Sequence, residues 1–430
     1  MWIALAALAA AGLAYIGAMP VTSFVARPGL ASLLIAIAWF APSLFGIMAV
    51  VKGARWPWLF VVVLHLVLVW YLADNWPGGA DHQGNLKLVQ NMQNGLGYTA
   101  PYGAIPTFAY LPPGYPSLLT AWSWIFGLSQ GSTIALNALI DLGTAATIFA
   151  IVRRRAPAAA LACAFAYLVW PDRAMASLLP AKEGLALLLF CQFLLWLDQP
   201  HGRFRAVAIG MMAAGLGLTQ PGWFPLAVLI ALLSMRLRLV DLPLVALGGC
   251  AIMAPWWLHC YRAFGTFVMF TASGPLSMEV VATGNDFSRF PERLAMGEIA
   301  GGKAAYHHAI DVISADVPHF LKSRVIEAIR TLAFDFEAIR VMKRTSAAAT
   351  MAVACQLFYM IVLALASRGR DRGHARIVMI AVGAMIIMAV PFEFAPRHKL
   401  FLIPLAIIAA GYTWRRDDDH AEAVRETSIA

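Results

Sequence analysis

The chain has 430 residues, of which 61% are hydrophobic and 13% charged, and its mean hydropathy is +0.71. Soluble domains carry about 25% charged and about 45–50% apolar residues, so this composition excludes an ordinary soluble protein. A formal net charge of +9 is expected when Lys and Arg collect in cytoplasmic loops. No basic stripe interleaved with aromatic residues indicates nucleic-acid binding, so we expect no nucleic-acid partner.

The apolar runs are longer than the strands of about 10 residues found in membrane barrels, and they predict an all-α integral membrane protein. With the N-terminus inside, every cytoplasmic connection carries at least two basic residues, as the positive-inside rule requires. We therefore predict about 12 transmembrane helices with both termini cytoplasmic. The runs are 2–19, 29–51, 57–73, 131–152, 156–171, 181–197, 205–219, 221–235, 238–257, 346–366, 375–391 and 399–414.

This topology predicts how the chain is divided. The parts are an N-terminal transmembrane hairpin (1–56), a membrane core (57–257) with an outer loop at 74–130, a second outer loop (258–345), C-terminal transmembrane helices (346–414) and a cytoplasmic tail (415–430). The apolar run 115–128 must not cross if the charges are to alternate, so we predict an interfacial helix there. Apolar residues at 321, 325, 329, 332, 336 and 339 predict an amphipathic helix packed on the membrane domain.

Asp81 opens the polar part of the first outer loop, directly after the turn "WPGG" that ends an apolar run. From Asn85 onward, apolar and polar residues fall on opposite sides of a predicted interfacial helix, which "NGLGY" ends. The carboxylate has two interpretations. It could cap the helix, since Asp is favoured at that position, or it could do chemistry at the membrane surface.

Five segments occur in an order that favours the second interpretation. They are "ADHQGNLKLVQNMQNGLGY" with the later "YLPPGYPSLL", then "SLLPAKEGLALLL", "AAGLGLTQPGWFPLAVL", "APWWLHCYRAFGTFVMFTASGPLSMEVVATGN" and "RHKLFLIPLAIIAAGY". Together they resemble the GT-C superfamily of polyprenyl-phosphate-sugar-dependent glycosyltransferases, in the branch of the protein-mannosyltransferases and aminoarabinose transferases. The sequence departs from the family pattern at His82, Gln220, His259–Cys260 and His398.

The resemblance implies a membrane glycosyltransferase that moves a sugar, with inversion, from a polyprenyl-phosphate donor to a glycan, lipid or protein acceptor. Its site would face the extracytoplasmic side of the plasma (inner) membrane. Asp81 would be the general base, and Glu183 is a candidate second acid. Residues His82, Tyr98 and Tyr115 would belong to the donor and acceptor loop. Because the chain ends soon after its last predicted span, a lipid-linked or polysaccharide acceptor is favoured over a folded protein.

A phosphate leaving group requires cations, because charge accumulates on its oxygens as the bond breaks. The candidates are Arg397, His398 and Lys399 at the start of the last predicted span, followed by Arg262 and His259. Each set has a simpler explanation, since basic residues at helix ends often reach towards the lipid interface and Arg262 lies in an aromatic belt. Glu183 could likewise do no more than complement a helix dipole.

A divalent metal is the candidate cofactor, and its candidate ligands are His82, Glu183, His307 and His308. No ligand spacing supports it, and adjacent histidines in a loop usually face solvent. The rival function is a non-enzymatic flippase or transporter of a lipid-linked sugar. Such a protein would carry ionisable residues in mid-membrane, and the predicted spans hold almost none.

Overall fold

The computed structural model describes residues 30–72, 80–102, 105–234, 237–284, 286–333, 361–362, 364–366, 372–389 and 400–413. Most of these residues are helical, and β1 (Ala100–Tyr102) pairs with β2 (Ile105–Thr107) in a short antiparallel hairpin. The helices are α1 (Leu30–Val51), α2 (Pro57–Leu72), α3 (Ala80–Gln93), α4 (Gly114–Phe126), α5 (Gln130–Arg153), α6 (Pro157–Leu168), α7 (Pro171–Ala176), α8 (Glu183–Leu197), α9 (Arg203–Thr219), α10 (Trp223–Leu233), α11 (Leu242–Phe264), α12 (Gly274–Ala282), α13 (Phe290–Ala295), α14 (Glu298–Ala315), α15 (Val317–Ala333), α16 (Arg372–Ala389) and α17 (Leu402–Tyr412).

Two helices in the described part of the chain are long and apolar enough to cross a membrane. They are Gln130–Arg153, and Leu239–Phe264, in which a short 3-10 turn leads into α11. Shorter apolar helices occupy the other runs predicted between 29 and 235 and after 375. The run 2–19 and most of 346–366 fall outside the described residues, so the count of twelve spans stays a prediction.

The outer faces of these helices are apolar. On α2, for example, Leu59, Val62 and Leu66 are 66%, 54% and 63% exposed. Exposed apolar side chains in such numbers do not suit water, and they mark surfaces that face lipid or another protein. The fold is that of a helical membrane protein.

The largest core lies among α5, α6, α8, α9, α10 and α17. At its centre, the rings of Phe190, Trp223 and Phe401 lie 5.4 to 6.2 Å apart and meet at steep angles. Beside this core, α9 and α11 approach each other at Gly210 and Gly248, where a side chain on either glycine would collide with the backbone of the other helix. Small residues at such crossings are typical of helix packing in membranes.

Three local features differ from the sequence-based expectations. Helix α3 begins at Ala80 rather than Asn85. In the segment predicted as the second outer loop, the described residues form four helices, α12 to α15, of which only the last was predicted. On that last helix, the predicted packing positions Leu321 and Val325 are exposed, whereas Phe320 and Arg324 are buried. The packed face is therefore offset from the predicted stripe.

Helix α4 has 13 residues, fewer than the roughly 20 needed to cross a bilayer.

Candidate active site

Asp81 is the second residue of α3 and lies in its first turn. Its side chain is half-buried, and the neighbouring His82 is only 3% exposed. A carboxylate in the first turn is stabilised by the helix dipole. The capping position, by contrast, precedes the helix. Within the described residues Asp81 lies inside the first turn, and both interpretations of its carboxylate stay predictions.

Helix α3 is fixed in place by contacts one turn beyond Asp81. The amide of Asn85, which is 3% exposed, donates a hydrogen bond to the carbonyl oxygen of Pro180 at 2.9 Å. A Cβ atom on Gly84 would lie 2.7 Å from Leu111 Cδ1, so the helix packs closely against the end of the Leu111 side chain. Through Asn85, the helix that carries Asp81 is joined to the segment that leads into Glu183.

Glu183 is the first residue of α8 and is 6% exposed. The hydroxyl group of Tyr115, on α4, donates to Asn137 Oδ1 at 3.1 Å, and Asn137 Nδ2 donates to the carbonyl oxygen of Leu179 at 2.6 Å. Burial raises the pKa of Tyr115, the bond to Asn137 offsets part of the rise, and the charge of Glu183 adds to it. Glu183 and Tyr115 are therefore electrostatic neighbours beside the loop that contacts α3.

A buried ion pair lies next to this loop and was not among the predicted site residues. Arg173 Nη2 lies 2.7 Å from Asp141 Oδ1, and both side chains are almost fully buried. The Tyr167 hydroxyl donates to the same carboxylate at 3.0 Å. A Cβ atom on Gly184 would lie 3.1 Å from Arg173 Nη2, so the guanidinium sits beside the start of α8. A signal was present in the sequence, because Asp141 lies in the middle of an apolar run.

The predicted second outer loop contacts the first through another buried acid, Glu298 on α14. Its carboxylate accepts hydrogen bonds from the backbone N–H groups of Phe108 at 2.6 Å and Ala109 at 3.1 Å. His259 Nε2 donates to the carbonyl oxygen of Phe108 at 2.9 Å. Burial raises the pKa of Glu298, and the two backbone donors and His259 offset only part of this rise. Sequence reasoning missed Glu298, for which no motif gave a signal.

An aromatic group surrounds His259. The ring of Trp256 stacks on it with centroids 5.1 Å apart, and Tyr98 meets both rings edge-on. The Tyr98 hydroxyl donates to the carbonyl oxygen of Leu111 at 2.9 Å. Two predicted site residues, Tyr98 and His259, are thereby brought together, and Tyr98 is linked through Leu111 to the helix of Asp81.

The other predicted residues are distributed differently. Arg262 is exposed on the last turn of α11. His307 is exposed, whereas His308 Nδ1 donates to Glu279 at 2.8 Å and Arg289 donates to His308 Nε2 at 3.1 Å. Arg397, His398 and Lys399 lie outside the described residues. Their neighbour Phe401 packs on Trp223 at the start of α10.

No metal centre emerges within the described ranges, where no three or more His, Cys, Asp or Glu side chains are arranged to hold an ion. Among the four candidate ligands, His308 is engaged with Glu279 instead. The arrangement offers the half-buried carboxylate of Asp81, the buried carboxylate of Glu183, and the aromatic group around His259.

No protein-family profile matches the chain, and no curated protein matches it. Among solved structures, it is similar to ArnT from Cupriavidus metallidurans bound to undecaprenyl phosphate, with a TM-score of 0.41 and 15% identity over 86% of this chain and 80% of that one. The apo state of the same protein gives a TM-score of 0.39 and 15% identity over 85% and 78%.

Proposed function

We propose that this protein is a membrane glycosyltransferase. It would transfer a sugar from a polyprenyl-phosphate carrier to a glycan, lipid or protein acceptor at the extracytoplasmic face of the inner membrane, with inversion at C1. The observation that carries the proposal is the position of Asp81. It lies half-buried at the start of a mostly polar helix, and that helix is docked on the segment leading to Glu183.

The proposed reaction needs one base and a charged leaving group. The Asp81 carboxylate takes the proton of the acceptor hydroxyl while that oxygen attacks C1 of the sugar. The bond between C1 and the phosphate oxygen breaks, and its electron pair leaves with the polyprenyl phosphate. Phosphate is already a good leaving group, so no dedicated acid is required, in contrast to glycoside hydrolysis.

Cations would stabilise the charge that develops on the phosphate. In this proposal, Arg397, His398 and Lys399 supply that charge together with Arg262 and His259. The buried carboxylate of Glu183 would be the second acidic residue of the site, with no proton donated to the leaving group. In this proposal, the basic side chains rather than a divalent metal stabilise the phosphate charge.

A flippase for lipid-linked sugars is the second candidate, and one observation favours it. The buried ion pair joins Asp141 on α5 to Arg173 on α7, and α5 is one of two helices in the described ranges that are long and apolar enough to span a bilayer. Ionisable residues at such positions often mark transport pathways. Asp141 is one of the few ionisable residues in the predicted spans. The pairing itself gives Asp141 a structural role, so we retain the enzyme as the primary proposal.

The test is sugar transfer by purified protein in lipid nanodiscs. A panel of polyprenyl-phosphate sugars is offered with a mixed set of lipid and glycan acceptors, and release of polyprenyl phosphate is followed. Wild type is compared with Asp81→Asn and Glu183→Gln. The matched control is Asp286→Asn, since Asp286 is an exposed carboxylate in the second outer loop.

If wild type consumes one donor and Asp81→Asn loses about 10²–10⁴-fold in rate while the control keeps full activity, the base is identified. An Asp81→Asn variant as active as wild type would remove Asp81 from the mechanism. If no donor is consumed, the same wild-type preparation is reconstituted into vesicles with fluorescent lipid-linked sugars. Movement of these lipids between the two leaflets would then support the flippase.

A further inference from the structure

All four backbone polar groups of Phe108 and Ala109 form hydrogen bonds with residues from the end of α11 and the second outer loop. Both N–H groups donate to Glu298, the Phe108 carbonyl oxygen accepts from His259, and the Ala109 carbonyl oxygen accepts from the Ala272 N–H at 2.8 Å. The backbone groups of this dipeptide are therefore fully satisfied. We call residues 108–115, which start at this dipeptide, the strap.

A carboxylate at position 298 can accept hydrogen bonds from both backbone N–H groups, which the amide of glutamine cannot do equally well. Its two oxygens accept from two consecutive N–H groups, and Ala109 contacts both oxygens, at 3.1 and 3.3 Å. A carboxylate offers acceptors on both oxygens, whereas an amide would turn N–H donors toward one of the backbone N–H groups. Glu298 is 5% exposed, so water cannot readily replace a lost acceptor. The titratable groups that face it are His259, Tyr98 and Cys260.

The strap connects this clamp to the candidate active site. At its middle, Leu111 accepts a hydrogen bond from Tyr98 and packs on Gly84, one turn from Asp81. At its end, Gly114 lies tightly against Thr219, and Tyr115 donates to Asn137. A shift of the strap at Phe108 would therefore reach both the helix of Asp81 and the neighbour of Glu183.

We propose that Glu298 is a positioning residue, which clamps the strap and thereby sets the placement of α3 with Asp81 for sugar transfer. This inference rests on the proposed function. Glu298 does not touch the reacting atoms. Its loss displaces the base without removing it, and a misplacement of about 1 Å at a reacting group costs about 10²-fold in rate.

Two readouts on the variant Glu298→Gln test the proposal in nanodiscs. The first is amide hydrogen exchange in peptides that cover residues 108 and 109, where exchange should become about tenfold faster or more once an acceptor is lost. The second is steady-state transfer with the preferred donor, where kcat should fall about 10²-fold while the donor KM stays unchanged. The control is Glu292→Gln, an exposed carboxylate in the same segment, which should change neither readout.

A second variant covers the case in which Glu298→Gln does not fold. Leu111→Ala leaves the clamp in place but removes the contact with Gly84, so kcat should fall while exchange at residues 108 and 109 is unchanged. Unchanged exchange in a folded Glu298→Gln overturns the clamp. Faster exchange with unchanged kcat, or a fully active Leu111→Ala, overturns the positioning role. A wild type that consumes no donor overturns the proposed function itself and the positioning role with it, whatever the exchange shows.

Discussion

Arg173 on α7 and Asp141 on α5 form an ion pair with 2.7 Å between Nη2 and Oδ1, and their side chains are 2% and 5% exposed. Two opposite charges are thereby buried in a helical core, where each offsets part of the cost of burying the other. Tyr167 adds a hydrogen bond to the same carboxylate. The pair joins three consecutive helical segments, α5, α6 and α7, beside the loop before Glu183.

Removing either charge alone should therefore be costly. We expect Asp141→Asn and Arg173→Ala each to lower the free energy of unfolding by about 3–5 kcal/mol, because each removes one partner of a buried ion pair. The double variant Asp141→Leu with Arg173→Met should lose less than either single variant. Denaturant titration in detergent micelles measures all three, and single variants within about 0.5 kcal/mol of wild type, the range of ordinary surface substitutions, would contradict the expectation.

The hydroxyl group of Tyr115 should have a measurable structural effect. Tyr115→Phe leaves Asn137 Oδ1 without its donor in a site that is 5% exposed, which should cost about 1–3 kcal/mol of unfolding free energy. The control is Tyr306→Phe, because Tyr306 is 47% exposed on α14 and its loss should be close to neutral. Equal effects in the two variants would show that the Asn137 bond contributes nothing.

Much of the membrane core could be predicted because its determinants are local. Apolar runs placed helices at 57–73 and 131–152, and the structure has them at Pro57–Leu72 and Gln130–Arg153. The helix predicted at 238–257 runs on to Phe264, where Gly265 adopts a left-handed conformation with φ of 65° and ends it. That glycine was visible in the sequence, but the drop in hydrophobicity before it suggested an earlier end.

The clamp on the strap could not be predicted, since its partners are far apart in the chain. Glu298 bonds Phe108 across 190 residues, and a bond from a side chain to a backbone group leaves no pattern in either segment. The four helices of the second outer loop were partly readable, because Pro275 and Pro291 stand at helix starts, where proline is favoured. Weak hydrophobicity concealed them from a search for apolar periodicity.

Two acids of the second outer loop should respond to pH with opposite signs. For Glu279, burial would raise the pKa, but the hydrogen bonds and charges of Arg293 and His308 outweigh it and hold the pKa below its ordinary value of 4.5. A lowered pKa in the folded state means that this carboxylate stabilises the fold at neutral pH and loses that effect as pH falls below about 4.5. The Tm advantage of wild type over Glu279→Gln should therefore shrink on acidification.

For Glu298 the sign is reversed, because burial raises its pKa above 4.5. The folded state then binds the proton more tightly than the unfolded state, so protonation favours the fold as pH falls through the raised pKa. The Tm of wild type relative to Glu298→Gln should rise on acidification. Thermal unfolding between about pH 7 and pH 3, a window that extends on both sides of the ordinary pKa of Glu, measures both differences. Parallel slopes for the two variants would show that one of the assigned environments is wrong.

The crossing of α9 and α11 offers a prediction with a control inside the same helix. A Cβ atom on Gly248 would collide with the carbonyl oxygen of Val207, and one on Gly210 with that of Val245. Backbone atoms cannot move aside as a flexible side chain can, so Gly210→Ala and Gly248→Ala should each force the helices apart. Overpacking of this kind typically costs about 1–3 kcal/mol. The adjacent Gly249→Ala should be tolerated, since its nearest neighbour would lie 3.7 Å away.

The three glycine variants share the same residue change and the same helix pair, so differences in helix propensity or membrane insertion largely cancel. Tm in detergent and the yield of monodisperse protein are the two measurements. Because α11 also carries Trp256 and His259, a displaced α11 should loosen the clamp as well, and exchange at residues 108 and 109 should rise in Gly248→Ala but not in Gly249→Ala. If Gly249→Ala were as damaging as Gly248→Ala, the loss would reflect glycine in α11 in general rather than the close approach to α9.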